Sequence, residues 1–144
     1  TTFDLADVLT ERIERLRHAE PEATVSATLP DRAPAVGHEL LPDAFDNVLE
    51  NAVEHNDADR PHVAVELVPP GTDGDRVSVR IADDGPGLPA VERRVLRTVE
   101  ETQLTHSTGL GLWLTNWIVR ASSGRIDVAS DDAGTTVVIE LPTP

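Results

Sequence analysis

The sequence contains no cysteine and no lysine, and aromatic residues make up only 3% of it. Without cysteine there are neither disulfides nor thiolate metal sites, which fits a cytoplasmic domain. Without lysine the chain cannot build a P-loop, the nucleotide site of a serine/threonine protein kinase or a Schiff base, because each of these needs a lysine amine. Several large classes of enzyme are therefore excluded.

Long apolar runs and excess positive charge are also missing. No stretch is apolar enough to span a bilayer, and the charged, amphipathic N-terminus lacks the apolar centre of a signal peptide. The formal net charge is −14, and all 12 basic residues are arginine. We therefore expect neither a nucleic-acid partner nor direct membrane contact. The charge indicates either a salt-rich cytoplasm, where ions screen self-repulsion, or an acidic domain from a GC-rich genome.

The chain has 144 residues, which is enough for one domain with a buried core. Apolar residues at helical spacing predict helices over residues 3–18, 42–56, 90–101 and 109–124. Alternating residues predict strands over 23–30, 62–68 and 76–83, an extended piece over 33–39 and a closing hairpin over 125–142. Because hairpins dominate, we expect an α/β two-layer sandwich, with about three helices on one face of a mixed, largely antiparallel sheet.

The helix predicted over residues 42–56 carries two asparagines and a histidine along one edge. Asn47, Asn51 and His55 are spaced i, i+4 and i+8, so they lie together beside the apolar stripe. Asparagine is unfavourable inside helices, and its amide oxygen is a hard ligand that suits Mg²⁺. The edge is therefore either a metal site or a solvated polar surface.

A strand-like run ends in the sequence DDGPGLP, residues 83–89. Asp83 closes the strand, and Gly85 and Gly87 remove side-chain bulk beyond it. A flat ring can then approach while the carboxylate accepts a hydrogen bond from an exocyclic amino group. An ordinary Asp-Gly turn is the alternative interpretation.

A glycine-rich segment, STGLGLWL, opens the last strong helix. Gly109 and Gly111 follow Ser107 and Thr108, and the backbone amides of such a helix start can bind an anion. A glycine-softened loop is the alternative. Taken together, a metal-binding helix edge, an aspartate for a base and an amide-rich helix start for phosphates predict one nucleotide site without a P-loop.

These motifs make the whole chain resemble the ATP-binding catalytic domain of sensor histidine kinases, in the GHKL superfamily shared with gyrase, mismatch-repair ATPases and the large heat-shock chaperone. NVLENAVEHN is similar to the N box, DDGPGLP to the first glycine box, STGLGLWLTNWIV to the second and GTTVVIELP to the terminal strand. The style of these motifs is similar to haloarchaeal members. The resemblance implies a Bergerat-type fold over residues 1–144, with an ATP lid over 88–106.

The resemblance also implies roles for individual residues. Asn51 would ligate Mg²⁺, while Asn47 and His55 would lie near the phosphates. Asp83 would accept a hydrogen bond from the adenine amino group. The other implied contacts come from the glycine boxes, with Gly85 and Gly87 on the adenine side and Thr108, Gly109, Leu110, Gly111 and Leu112 on the phosphates.

Position 47 separates the branches of this superfamily. Hydrolytic members and anti-sigma serine kinases typically carry a glutamate, the general base, four residues before the metal asparagine, whereas this chain carries Asn47. An amide is no base at neutral pH, and Glu50 is expected to project from a different face of the helix. The resemblance therefore favours phosphoryl transfer to histidine over hydrolysis or serine phosphorylation.

The chain departs from the family pattern at several positions. Glu54 stands where many members carry a basic residue, and Ser107 replaces the leading glycine of the second box. Arg93, Arg94 and Arg97 either supply the missing positive charge or belong to a solvated helix face. None of the histidines has the flanking residues of a phosphoacceptor box, so no catalytic histidine is expected in this chain.

We therefore expect the Mg-ATP-binding catalytic domain of a larger, cytoplasmic signalling kinase. In the intact protein it would donate the γ-phosphate to a histidine on a separate dimerisation domain, from which residues 1–18 can continue, and a response regulator would act downstream. The chain alone would bind ATP and ADP without autophosphorylating. Two alternatives stay open: an anti-sigma-type serine kinase and binding module, and a degenerate domain that serves as an interaction surface.

Overall fold

The computed structural model describes residues 1–54, 60–71, 74–85, 107–131 and 134–144. In chain order the elements of this part of the chain are β1 (Thr2–Asp4), α1 (Leu5–Ala19), β2 (Thr24–Thr28), β3 (Pro34–Val36), α2 (Leu41–Glu54), β4 (His62–Val68), β5 (Arg76–Asp83), α3 (Ser107–Ala121), β6 (Arg125–Asp131) and β7 (Gly134–Pro142). The helix predicted over 90–101 and the lid expected over 88–106 lie outside the described residues.

The main sheet has five strands in the order β2-β4-β5-β7-β6. Strands β2 and β4 pair in parallel, whereas the other three pairings are antiparallel. Alternate residues of β4 and β7 are buried, because one face of the sheet packs against the helices. The prediction of a mixed, largely antiparallel sheet with one covered face is therefore confirmed.

The helical layer lies over this buried face, with α2 packed against both α1 and α3 and against β4 and β5 beneath it. Apolar side chains from both layers fill the space between them. The largest fully buried ones are Phe45, Leu5, Leu9, Ile13, Leu41, Leu49, Ile81, Ile118, Ile139, Leu141 and Val63. No helix in the described part of the chain combines the length and apolarity needed to cross a membrane.

The N-terminal residues correct the helix predicted from residue 3. Phe3 lies in β1, which pairs antiparallel with β3 in a separate two-stranded sheet. The helix begins after Asp4, whose Oδ1 accepts hydrogen bonds from the backbone nitrogens of Ala6 at 3.1 Å and Ala33 at 2.9 Å. The carboxylate therefore caps α1 and ties its start to the chain that enters β3.

Both ends of α3 also differ from the prediction over residues 109–124. The helix begins at Ser107, so the two glycines lie within its first turns, and it ends at Ala121. Ser123 adopts a positive φ of 58°, and the Gly124 nitrogen donates back to the Val119 carbonyl at 2.9 Å. This left-handed residue stops the helix before the predicted end and turns the chain into β6.

Candidate functional site

Helix α2 presents two polar edges on either side of its buried apolar stripe. Asp46 and Glu50 line a groove of about 350 Å³ between α1 and α2. Because residues one position further along a helix lie about 100° around its axis, Asn47 and Asn51 occupy the other edge, toward α3. Both asparagines are partly buried. The structure thus keeps the amide edge and the acidic edge of α2 apart.

On the acidic edge, burial and neighbouring carboxylates disfavour the ionised forms of Asp46 and Glu50. Burial raises the pKa of Glu50 above its ordinary value, and the neighbouring carboxylates Asp46 and Glu54 add to the effect. Burial likewise raises the pKa of Asp46, although Arg12, whose Nη1 lies 3.2 Å from Oδ2 of that carboxylate, opposes the shift. The prediction that Glu50 projects from a different face than the asparagines is confirmed, since its side chain faces the α1 groove.

Asn51 has an amide that the fold does not use completely. Its Nδ2 is buried and has no hydrogen-bond partner among the described residues. A buried amide without a protein partner is uncommon, because the unmade hydrogen bond costs free energy that a bound ligand or water can restore. The orphaned nitrogen therefore marks this edge of α2 as a place that a ligand can complete.

The side-chain oxygens at this edge suit one type of Mg²⁺ site. Among the described residues no three histidine, aspartate or glutamate side chains come together in a metal-binding cluster. Mg²⁺ is often held by only one or two protein oxygens, together with waters and substrate phosphates. An asparagine oxygen at position 51 suits that type of site, whereas a dedicated protein cage for the ion is not formed in this part of the chain.

Asp83 is the last residue of β5, which lies between β4 and β7 in the sheet. It stands opposite Val63 on one side and Thr135 on the other. Its Oδ1 accepts a hydrogen bond from the Gly85 nitrogen at 2.9 Å. The carboxylate is therefore held at the end of β5 by a turn that begins as soon as the strand ends.

The adjacent Asp84 has a different, structural task. Its Oδ1 accepts a hydrogen bond from the His62 nitrogen at 3.1 Å, and its own nitrogen approaches the His62 carbonyl at 3.4 Å. Asp84 thus fastens the end of β5 to the start of β4. The two neighbouring carboxylates are therefore not equivalent, and Asp84 provides a matched control for Asp83.

Two residues that the motifs did not identify lie against Asp83. Gly134, at the start of β7, has a φ of +148°, and a Cβ added there would collide with the Asp83 carbonyl. The next residue, Thr135, is buried and is the cross-strand partner of Asp83. The only sequence signal is the GTT that follows the hairpin turn, because the proximity arises from the pairing of β5 with β7.

The start of α3 supplies the third part of the expected site. Ser107, Thr108, Gly109, Leu110, Gly111 and Leu112 are helical in the structure. The first backbone N–H groups of a helix have no partner within it and favour negative charge. The residues expected to bind the anion therefore lie within the first turns of α3. His55 and Gly87, the other two expected site residues, lie outside the described residues.

Comparison with known proteins identifies the family of the chain. Residues 38–144 match the family model described as histidine kinase-, DNA gyrase B-, and HSP90-like ATPase. The C4-dicarboxylate transport sensor protein DctB of Rhizobium meliloti is 33% identical over 113 residues, which cover 78% of this chain and 18% of that protein. The chain spans between 14% and 34% of the length of the curated relatives compared.

Solved structures of similar size resemble the whole chain. The mycobacterial sensor histidine kinase MprB superposes with a TM-score of 0.79 at 26% identity, covering 100% of this chain and 98% of that one. The ATP-binding domain of PrrB from Mycobacterium tuberculosis superposes with a TM-score of 0.73 at 27% identity, covering 100% and 97%. The similarity therefore includes β1, α1 and β2, which precede the segment matched by the family model.

Proposed function

The chain belongs to the family of histidine kinase-, DNA gyrase B- and HSP90-like ATPases, and we propose that it is the ATP-binding catalytic domain of a sensor histidine kinase. The observation that carries this proposal is the layout around α2. Helix α2, which carries Asn51, packs against β5, which ends at Asp83, and against α3, whose first turns offer backbone N–H groups. An asparagine oxygen suits a metal ion that is bound together with phosphates, a carboxylate suits a purine amino group, and helix-start N–H groups suit phosphate oxygens.

The base would bind at the end of β5. A carboxylate is a strong acceptor for the exocyclic amino group of adenine, and the turn to Gly85 fixes the Asp83 side chain before the ligand arrives. Gly134 leaves no side chain between β7 and the backbone of Asp83. These features support selection of a base with an amino group, since a carbonyl at that position would face the carboxylate oxygen.

The phosphates would bind between the amide edge of α2 and the first turns of α3. Asn51 would hold Mg²⁺ through its side-chain oxygen, and Asn47 lies one turn before it on the same edge. When bound, the ion would neutralise charge on the phosphate oxygens. The chain itself contributes positioning, because the helix-start amides orient the anion and the apolar stripe of α2 fixes the asparagines relative to β4 and β5.

The amide at position 47, where hydrolytic members carry the general base, supports transfer to histidine over hydrolysis. Asn47 cannot take a proton from water at neutral pH, and Glu50 faces the groove beside α1. A histidine nucleophile needs no such base when its nitrogen lone pair is available. The acceptor would be a histidine on the dimerisation domain of the same cytoplasmic kinase, and a response regulator would receive the phosphoryl group afterwards.

Calorimetric titration with ADP and a non-hydrolysable ATP analogue, with and without Mg²⁺, tests this proposal. The buffer should contain high KCl because the net charge of the chain is −14. We expect Asp83→Asn to weaken binding at least about tenfold, since a hydrogen bond to a charged group is lost. Asp84→Asn, the matched control, should bind as the unmodified chain does.

Asn51 is tested by the metal dependence of the same titration. Asn51→Ala should weaken binding of the ATP analogue in Mg²⁺ and have a smaller effect in EDTA. Glu50→Ala, on the opposite edge of α2, should change neither value. Equal affinities for the unmodified chain, Asp83→Asn and Asp84→Asn would contradict the proposed base site. If Asn51→Ala weakened binding equally with Mg²⁺ and with EDTA, the proposed metal role would be contradicted.

A further inference from the structure

The two outer strands of the five-stranded sheet differ in how their edges are protected. Because β2 and β6 stand at the two ends of the strand order, each has one edge that no other described strand covers. Such an edge presents unpaired backbone N–H and C=O groups and can pair with a strand of another molecule. Charged side chains on an edge strand oppose that pairing.

The sequence of β6 supplies charges, whereas the sequence of β2 supplies none. Arg125 and Asp127 are exposed residues of β6. Strand β2 has the sequence TVSAT, which contains no charged residue, and four of its five residues are exposed. Threonine and valine favour extended structure. The composition of β2 is therefore that of an edge strand that pairs readily.

The hydrogen bonds of β2 show which of its backbone groups face the open edge. The Thr24 nitrogen donates to the Pro61 carbonyl at 2.7 Å, on the side where β4 pairs with β2. Because the backbone groups of successive residues in a strand point to opposite sides, those of Val25 and Ala27 face away from β4. Two residues with outward N–H and C=O groups can exchange hydrogen bonds with the same two residues of an antiparallel second β2.

A side chain from α1 occupies this open edge. Arg17, in the last turn of α1, donates from Nη2 to the Val25 carbonyl oxygen at 2.6 Å. Its Nη1 donates to Glu14 Oε1 at 2.8 Å, so the guanidinium is also held from the helix. A second strand could pair with Val25 only by displacing this donor, since a charged group trapped between two strands is unfavourable. Arg17 therefore places on the edge the charge that the sequence of β2 lacks.

We propose that Arg17 blocks the open edge of β2 against pairing with a second copy of this chain. The partner that it excludes is another β2, in an antiparallel arrangement centred on Ser26. Repulsion between chains of net charge −14 weakens as salt screens it, whereas the contact between Arg17 and Val25 acts at the edge itself. This inference is independent of the proposed nucleotide site.

Sedimentation equilibrium in high KCl tests the proposal, because salt then screens the general repulsion. Arg17→Met removes the guanidinium but keeps a long, unbranched side chain with good helix propensity. Pairing would no longer break the hydrogen bond to Val25, so the dimer dissociation constant should fall at least about tenfold relative to the unmodified chain. Arg15→Met is the matched control. Arg15 is an exposed residue of the same helix that lines the groove beside α2, and its substitution changes the net charge equally.

A second substitution locates the association. Proline has no N–H, and the N–H of Ala27 faces the open edge rather than β4. Adding Ala27→Pro to Arg17→Met should therefore restore the monomer without removing a hydrogen bond to β4. In ¹⁵N-correlation spectra, the backbone signals of Val25 and Ala27 should shift with concentration in Arg17→Met and stay fixed in the unmodified chain. Should Arg17→Met fail to fold, Arg17→Gln also removes the charge and carries the same expectation.

Four results would overturn the proposal. If Arg17→Met sediments as the unmodified chain does in high KCl, the guanidinium does not block the edge. Equal association of Arg15→Met would assign the effect to net charge. Association that persists with Ala27→Pro would place the contact away from β2. Signals of Val25 and Ala27 that shift with concentration in the unmodified chain would show that the edge pairs despite Arg17.

Discussion

The close approach of β7 to Asp83 makes Gly134→Ala the most informative single substitution for linking the fold to the site. Gly134 has a φ of +148°, a backbone conformation that residues with a Cβ rarely adopt. A Cβ at this position would overlap the Asp83 carbonyl oxygen and would lie 3.1 Å from the carbon of that carbonyl and 3.3 Å from Asp84 Cα. All three neighbours are backbone atoms, so no side chain can rotate away to make room.

The expected loss of stability has two parts. Holding a residue other than glycine in such a backbone region costs about 1–3 kcal/mol. Moving packed backbone to relieve an overlap costs about another 1–3 kcal/mol. We therefore expect Gly134→Ala to lower the free energy of unfolding by about 2–6 kcal/mol, a large share of the roughly 5–15 kcal/mol typical of a domain. Gly71→Ala is the matched control, because a Cβ at Gly71 meets nothing within 4 Å.

Urea denaturation followed by circular dichroism measures both variants against the unmodified chain. The control should change stability by less than about 1 kcal/mol in either direction. Since the overlap falls on Asp83, Gly134→Ala should also weaken ADP binding at a temperature where it remains folded. A loss of stability below about 1 kcal/mol would refute the steric reasoning. Reduced stability with unchanged ADP affinity would show that Gly134 supports the sheet without supporting the base site.

Two further substitutions test the cap of α1 and the acidic edge of α2. Asp4→Ala removes the acceptor shared by the Ala6 and buried Ala33 nitrogens and should cost about 2–3 kcal/mol in urea denaturation. Asp4→Asn keeps the oxygen and should cost clearly less; equal losses would contradict the cap. Burial, reinforced by neighbours such as Asp46, raises the pKa of Glu50 above 4.5, so its ionised form destabilises the fold. That penalty is absent well below pH 4.5 and grows as pH rises through the folded-state pKa, so Glu50→Gln should stabilise the chain at pH 7 but not in acid. A difference independent of pH would contradict this.

The fold was predictable wherever local patterns carried the information. Alternation in β4 and β5 and the apolar stripe of α2 each follow from the burial of one face, and both predictions are confirmed. The start of the chain was predicted wrongly, because the apolar spacing runs continuously from Phe3 into α1. The pairing of β1 with β3 joins distant segments, and no local pattern contains it. Asp4 before the apolar run was the available signal for the true helix start.

The candidate site was predictable to the extent that it consists of short motifs. Asn51 and Asp83 stand out because each is a polar residue at a position where its element needs none. Thr135 and Gly134 do not stand out, since they reach Asp83 only through the register of β7 on β5. Residues that complete a site through tertiary contacts therefore require the structure.

A chain with a net charge of −14 has to bind a polyanion without help from its overall field. The two polar edges of α2 show how this is arranged. Asp46 and Glu50 face α1, where Arg12 pairs with Asp46, so their charge lies on the far side of the helix from Asn51. The donor that Asn51 brings to the other edge is a neutral N–H group. Neutral donors bind phosphate by direction and burial rather than by long-range attraction, and salt screens them far less than it screens exposed ion pairs. At the proposed nucleotide site, the division of α2 into an acidic and an amide edge would therefore keep the carboxylates Asp46 and Glu50 away from the phosphates.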